Sequence, residues 1–150
     1  MPQEPPSSHR RASTGRPAVL AWLRMVRFTQ HVGKIWSGIL RMHGLSPAQF
    51  NIIATVGGQP GLSQQELSQK LLVTQGNSSQ LLLHLERRGL IERRAAGKEK
   101  LLSLTPSGQA LFDDLVPAHE DWLVEQFAAL NTQEQAELAV WLRRLERTHR

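Results

Sequence analysis

One helical run is too long for the rest of this chain, and it constrains the fold more than any other feature. Pro17 suits the first position of a helix, and after it Leu20, Leu23, Val26, Val32, Ile35, Trp36, Ile39 and Leu40 recur at helical spacing until Gly44 ends the run. At about 1.5 Å per residue its roughly 27 residues reach about 40 Å, more than a compact monomer of this size can cover. Its Trp- and Leu-bearing surface therefore asks for a second chain.

Helix signals follow in close order. Ser46-Pro47-Ala48-Gln49 reads as a capping box with proline at the first helical position, and it opens a short helix through Phe50, Ile52, Ile53 and Val56. Gly57-Gly58-Gln59-Pro60-Gly61 ends that helix. A second capping box, Ser63-Gln64-Gln65-Glu66, starts a helix whose buried face is Leu67, Leu71 and Leu62. Thr74 caps the next, which buries Leu81, Leu82 and Leu85 and ends at Arg87-Arg88 with Gly89 and Leu90 just beyond. Only residues 72–74 separate these two helices, a helix-turn-helix spacing.

Residues 91–94 and 100–104 then read as two strands around a small, basic tip at 95–98. Thr105-Pro106 caps a helix carrying Leu111, Phe112, Leu115, Trp122, Leu123 and Phe127, which Pro117 should kink or divide in two. Asn131 and Glu134 cap a last helix with Leu138, Trp141, Leu142 and Leu145. The expected fold is mainly α with a small β-hairpin wing. A winged helix-turn-helix at 45–105 is set between dimerisation helices at 17–44 and 106–150, and residues 1–16 form a basic, Pro- and Ser-rich mobile arm.

Composition narrows the function. The absence of cysteine excludes a disulfide framework, a thiolate zinc site and a thiol nucleophile. No apolar run approaches a membrane span and no secretory signal is evident, so the expected location is the cytoplasm. The net charge of +5 is unevenly spread: residues 17–60 carry four basic side chains and no acid, whereas 106–150 carry eight acids against four bases. The first two-thirds is thus suited to a polyanion. There is no Gly-rich phosphate loop, no tyrosine and no Ser/His/Asp signature, so an enzyme is not expected. His31, His43, His84 and His119 lack ligand spacing, so neither a metal nor a cofactor is expected.

Three pieces, LSPAQFNIIATV, GLSQQELSQKLLVTQGNSSQLLLHLERRGLIERR and LLSLTPSGQALFDDLVPAHE, closely resemble the MarR family of winged helix-turn-helix transcriptional regulators. The resemblance implies a symmetric dimer built from the terminal helices, a recognition helix in the major groove of double-stranded DNA and a wing at the neighbouring minor groove. It also implies, in many members, a small-molecule pocket between the dimerisation and DNA-binding parts. This chain departs from the usual pattern in carrying Gln75, Gln80 and His84 where more basic residues are common, and the short AAGKEK in the wing.

The leucine stripe of the recognition helix leaves Gln75, Asn77, Ser79, Gln80, Leu83, His84 and Arg87 wholly or partly outside. Asn and Gln pair with the N6/N7 edge of adenine, so half-sites containing A·T are favoured. Thr74 and Gly76 at that helix's start, with Ser63 and Gln64 at the start of the preceding one, are candidates for phosphate contact through free N–H groups. In the hairpin Arg93, Arg94, Lys98 and Lys100 are placed for phosphates or a narrowed minor groove, offset by Glu92 and Glu99. Trp22, Trp36, Trp122 and Trp141 are expected mostly in the dimer core. By the resemblance, Trp36, Arg41, His43 and Phe50 mark an effector pocket suited to a small aromatic acid. The leading expectation is a ligand-responsive repressor binding a pseudo-palindromic operator as a homodimer. A non-specific architectural DNA binder and a protein-interaction module, the latter supported by Leu83, remain as alternatives.

Overall fold

The computed structural model describes residues 15–71 and 75–149. Its elements are α1 (Pro17–Arg41), α2 (Pro47–Gly58), β1 (Leu62–Ser63), α3 (Gln64–Leu71), α4 (Gln75–Arg87), β2 (Ile91–Ala96), β3 (Glu99–Leu104), α5 (Pro106–Gln126) and α6 (Thr132–Arg147). Helix starts follow local chemistry. Ser46 Oγ accepts the Gln49 N–H at 3.2 Å while Gln49 Oε1 accepts the Ser46 N–H at 2.9 Å. Ser63 with Glu66 and Asn131 with Glu134 repeat this reciprocal pair, and Thr105 Oγ1 accepts the Gly108 N–H at 3.0 Å. The expected cap of α4, Thr74, and the expected arm up to residue 14 lie outside the described residues.

Two helix ends are closed by glycine. Gly44 and Gly89 adopt φ of 67° and 70°, and the N–H groups of Leu45 and Leu90 reach back to the carbonyls of Leu40 and Leu85 at 3.1 and 3.0 Å. These are Schellman closures with a buried leucine just past each glycine. They turn the chain sharply from α1 into α2 and from α4 into the wing.

The core gathers around α2, whose Phe50, Ile52, Ile53 and Val56 are buried. Leu40, Leu62, Leu67, Leu82, Leu85, Ile91, Leu102 and Leu115 belong to the same cluster. The sheet has three antiparallel strands in the order β1-β3-β2. Its β1 strand was not expected. With two residues, Leu62 and Ser63 pairing Leu102 and Leu101, it is too short to show an alternating pattern, and Leu62 is buried from this strand rather than from α3. The hairpin is longer than expected, with Ala96 opposite Glu99 and a two-residue turn, Gly97-Lys98, in which Gly97 takes φ of 61°.

Pro117 does not divide the helix that contains it: α5 runs unbroken for 21 residues. Buried Leu115 and half-buried Val116 and Trp122 hold both sides of it to the core, while Asp113, whose carbonyl loses its partner, is exposed to water. The tryptophans also divide. Trp36 is 7% exposed within this chain's own core and Trp122 is half-buried there, whereas Trp22 and Trp141 are 62% and 57% exposed. Only the latter two are left for a subunit interface, together with Val19, Leu20, Leu23, Phe28, Val140 and Leu145.

Close approach depends on two glycines. A Cβ on Gly108 would overlap the Leu90 carbonyl oxygen, and one on Gly57 would overlap the Phe112 ring and lie 2.8 Å from Leu104 Cδ1. Gly108→Ala is expected to lower stability by about 1–3 kcal/mol, because the backbone it strikes has no rotamer escape. Gly33→Ala, with nothing within 4 Å of the added Cβ, should be neutral or stabilising by up to about 1 kcal/mol. Urea denaturation of the two variants tests the contrast.

Candidate nucleic-acid interface

On α4 the fully buried Ser78, Leu82 and Leu85, with half-buried Leu81, face the core. Asn77, Gln80, Leu83, His84 and Arg87 are exposed on the rest of the helix, as the sequence pattern requires. Of Gln75 and Gly76 only the helical backbone is described. The buried hydroxyls of Ser68 and Ser78 lie 2.7 Å apart and tie α3 to α4.

A cleft of about 280 Å³ joins the start of α3, the first turns of α4 and the wing tip, and Ser63, Gln64, Gln65, Ser79, Lys98, Glu99 and Lys100 line it. Five of the residues singled out from sequence thus meet in one place. Lys98, Lys100 and Arg94 are exposed and available to a polyanion. Others have internal duties that change the expectation. Ser63 is 3% exposed, its N–H donates to Glu66 Oε2 at 2.9 Å and its hydroxyl accepts the Glu66 N–H, so both groups shape the start of α3. Gln64 is half-buried; its amide donates to Ser79 Oγ and its oxygen lies 3.4 Å from Arg93 Nη1. Arg93 is drawn inward as well, bound to Glu86 through Nε at 2.9 Å and Nη2 at 2.6 Å. It is a strut between the wing and α4. Nothing in the sequence pointed to this pairing, because the two residues sit on different elements across the Gly89 turn.

The residues expected to form an effector pocket separate. Trp36 and Phe50 are buried edge to face at 5.3 Å, while Arg41 and His43 are exposed. In their place stand His119, with its ring 4.3 Å from Trp36 and 5.0 Å from Phe50, and Trp122, stacked 5.4 Å from Trp36. The spacing of Leu115, His119 and Trp122 on one stripe of α5 was the available signal for this box. Trp36 Nε1 is buried there without a hydrogen-bond partner among the described residues. Burial lowers the His119 pKa below its ordinary 6.5, with neighbouring Glu120 opposing the shift. Among the described residues no cluster of His, Cys, Asp and Glu could hold a metal ion, and no helix is long and apolar enough to cross a membrane.

Residues 43–100 match the family model described as MarR family. An uncharacterised HTH-type transcriptional regulator of Bacillus cereus is 37% identical over 98 residues, spanning 65% of this chain and 67% of the relative. The chain belongs to the MarR family of transcriptional regulators. As a MarR-family protein it is a regulator and not an enzyme. Solved structures share its winged-helix fold: S. aureus MepR in a DNA complex is 21% identical with a TM-score of 0.75, over 87% of this chain and 96% of that one. Bordetella bronchiseptica BpsR, solved in a study of how 6-hydroxynicotinic acid regulates its DNA binding, is 22% identical with a TM-score of 0.75, over 85% and 98%.

The aromatic box should make this MarR-family protein less stable in acid. Well above pH 6.5 His119 is neutral both folded and unfolded and adds no pH dependence. As the pH falls through 6.5 the unfolded chain takes up the proton first, so stability drops until the folded protein is protonated too. The melting temperature should therefore begin to fall as the pH drops through 6.5, and His119→Phe should reduce that fall.

Proposed function

We propose that this MarR-family regulator binds a pseudo-palindromic DNA operator sequence-specifically as a homodimer, and that it acts in the cytoplasm as a ligand-responsive repressor. The observation that carries the DNA reading is the cleft in which the wing lysines, Lys98 and Lys100, meet Ser79 on the recognition helix. A helix in the major groove and a cationic wing tip beside it can then engage one half-site together. The MepR–DNA complex, of the same fold, supports this reading.

Dimerisation is supported by the apolar surface of α1 and α6. A groove of about 1280 Å³ runs between them and α3, lined by Ala18, Ala21, Trp22, Met25, Leu142 and Leu145 among others. A second copy is the partner that would cover it, and two recognition helices about 34 Å apart would then meet successive turns of the major groove. Sedimentation at micromolar concentration should show a dimer; a folded monomer there would remove this part of the proposal.

Release by a small aromatic acid is supported by the box around Trp36. Its unpartnered Nε1–H is a donor that a carboxylate could accept, and BpsR is a relative in fold whose DNA binding responds to such an acid. Release requires that the liganded dimer space its two reading helices differently.

Anchors and readers should separate in binding assays. Lys98→Ala or Lys100→Ala should weaken binding to all sequences alike and flatten the log affinity against log salt slope by about 0.9 per lost phosphate contact. Gln80→Ala or Asn77→Ala should cost about 1–3 kcal/mol on the operator alone and relax preference at one A·T pair. Equal binding to every duplex by the unaltered protein would favour an architectural role instead.

A further inference from the structure

We infer that Leu83 is a specificity-determining residue, reading the C5-methyl group of a thymine in the major groove next to an adenine contacted by Gln80. The inference rests on the DNA-binding reading above and adds to it an apolar readout. A single exposed leucine is ordinary on a protein surface. Leu83 is distinguished by where it stands. It is 39% exposed while its neighbours Leu82 and Leu85 are fully buried, and it lies on the side of α4 turned away from Ser78, Leu82 and Leu85. Gln80, Leu83 and Arg87 follow one another at helical spacing along that outer face, and His84 flanks them. Every other exposed side chain along this part of α4 has polar chemistry that water or a base edge would satisfy; Leu83 alone has none.

Of the four bases only thymine presents an apolar group in the major groove. An amide such as Gln80 reads adenine, whose partner is thymine, so amide and leucine on one face select the same base-pair composition. The spacing also suits neighbouring contacts. Three residues of helix rise about 4.5 Å, close to one base-pair step of about 3.4 Å.

The test uses the full-length protein and duplexes it enriches from a randomised library. Each thymine of the enriched half-site is replaced in turn by deoxyuridine, which removes the C5-methyl and leaves base pairing intact. The unaltered protein should lose about fourfold in affinity at one position in each half-site, the loss expected for one buried methyl group. Leu83→Ala, with an unchanged melting temperature, should bind the thymine duplex about fourfold less tightly and be indifferent to deoxyuridine at that position. Gln80→Ala should keep its sensitivity there. The inference is overturned if the unaltered protein ignores every deoxyuridine, or if Leu83→Ala remains sensitive at the same position. It is equally overturned if Leu83→Ala binds the thymine duplex at full affinity, in which case Leu83 serves a protein partner. Failure to enrich any sequence would be a different result, overturning sequence-specific binding itself and the leucine readout with it.

Discussion

The enclosure of α2 is the constraint on which the rest of the structure depends. Phe50, Ile52, Ile53 and Val56 reach the core from several faces of a helix of 12 residues, so α1, α3, α4, the sheet and α5 must all arrange themselves around it. Such a helix keeps only a narrow edge, with Ala48 and Asn51, in water, and its other sides fix their neighbours by excluding water from each contact. The recognition helix is held through Leu82 and Leu85 to the same cluster that holds the end of α1 through Leu40. A displacement of α1 therefore meets α4 through packed side chains, with no flexible segment between them.

Polar contacts refine what this core sets roughly. Gln64, Ser79, Arg93 and Glu86 form a chain from the start of α3 through α4 to the base of the wing. The chain engages one arginine and one glutamine in contacts within the protein. Arg94, Lys98 and Lys100 stay exposed on the outer wing, so these cations and the wing's internal strut are different residues of one hairpin. At the other end of the wing, Thr105 closes a second junction: its N–H donates to the Leu90 carbonyl at 3.1 Å, and its hydroxyl donates to the Gly89 carbonyl and accepts from Gly108.

What the sequence made legible follows the range of the interactions involved. Capping boxes at Ser46, Ser63 and Asn131, and glycine closures at Gly44 and Gly89, are made within a few residues and could be read directly. So could the polar outer face of α4, since helical periodicity alone separates it from the leucine stripe. The β1 strand could not, because two residues acquire strand geometry only from Leu101 and Leu102 some 40 positions away. The inward turn of Arg93 was hidden for the same reason, and the spacing on α5 signalled only a stripe, not the Trp36 and Phe50 that complete the His119 box. Charge near DNA and aromatics near a long helix each have two readings, and only the tertiary partner decides between them. Pro117 shows the opposite case: of the two outcomes expected there, division of the helix did not occur, because apolar anchors hold both sides of it.

The division of the tryptophans has an optical consequence. The chain has no tyrosine, so its near-ultraviolet absorption belongs almost wholly to four indoles, and these fall into two environments. Trp36 and Trp122 are stacked within 5.4 Å, close enough for their transitions to couple, and an adjacent imidazole quenches indole emission when protonated. Trp22 and Trp141 emit from positions open to solvent in a single chain. Circular dichroism near 290 nm should thus report mainly on the core, while the emission colour follows the outer faces of α1 and α6. The state of the interior and the state of assembly can then be followed separately in the unlabelled protein.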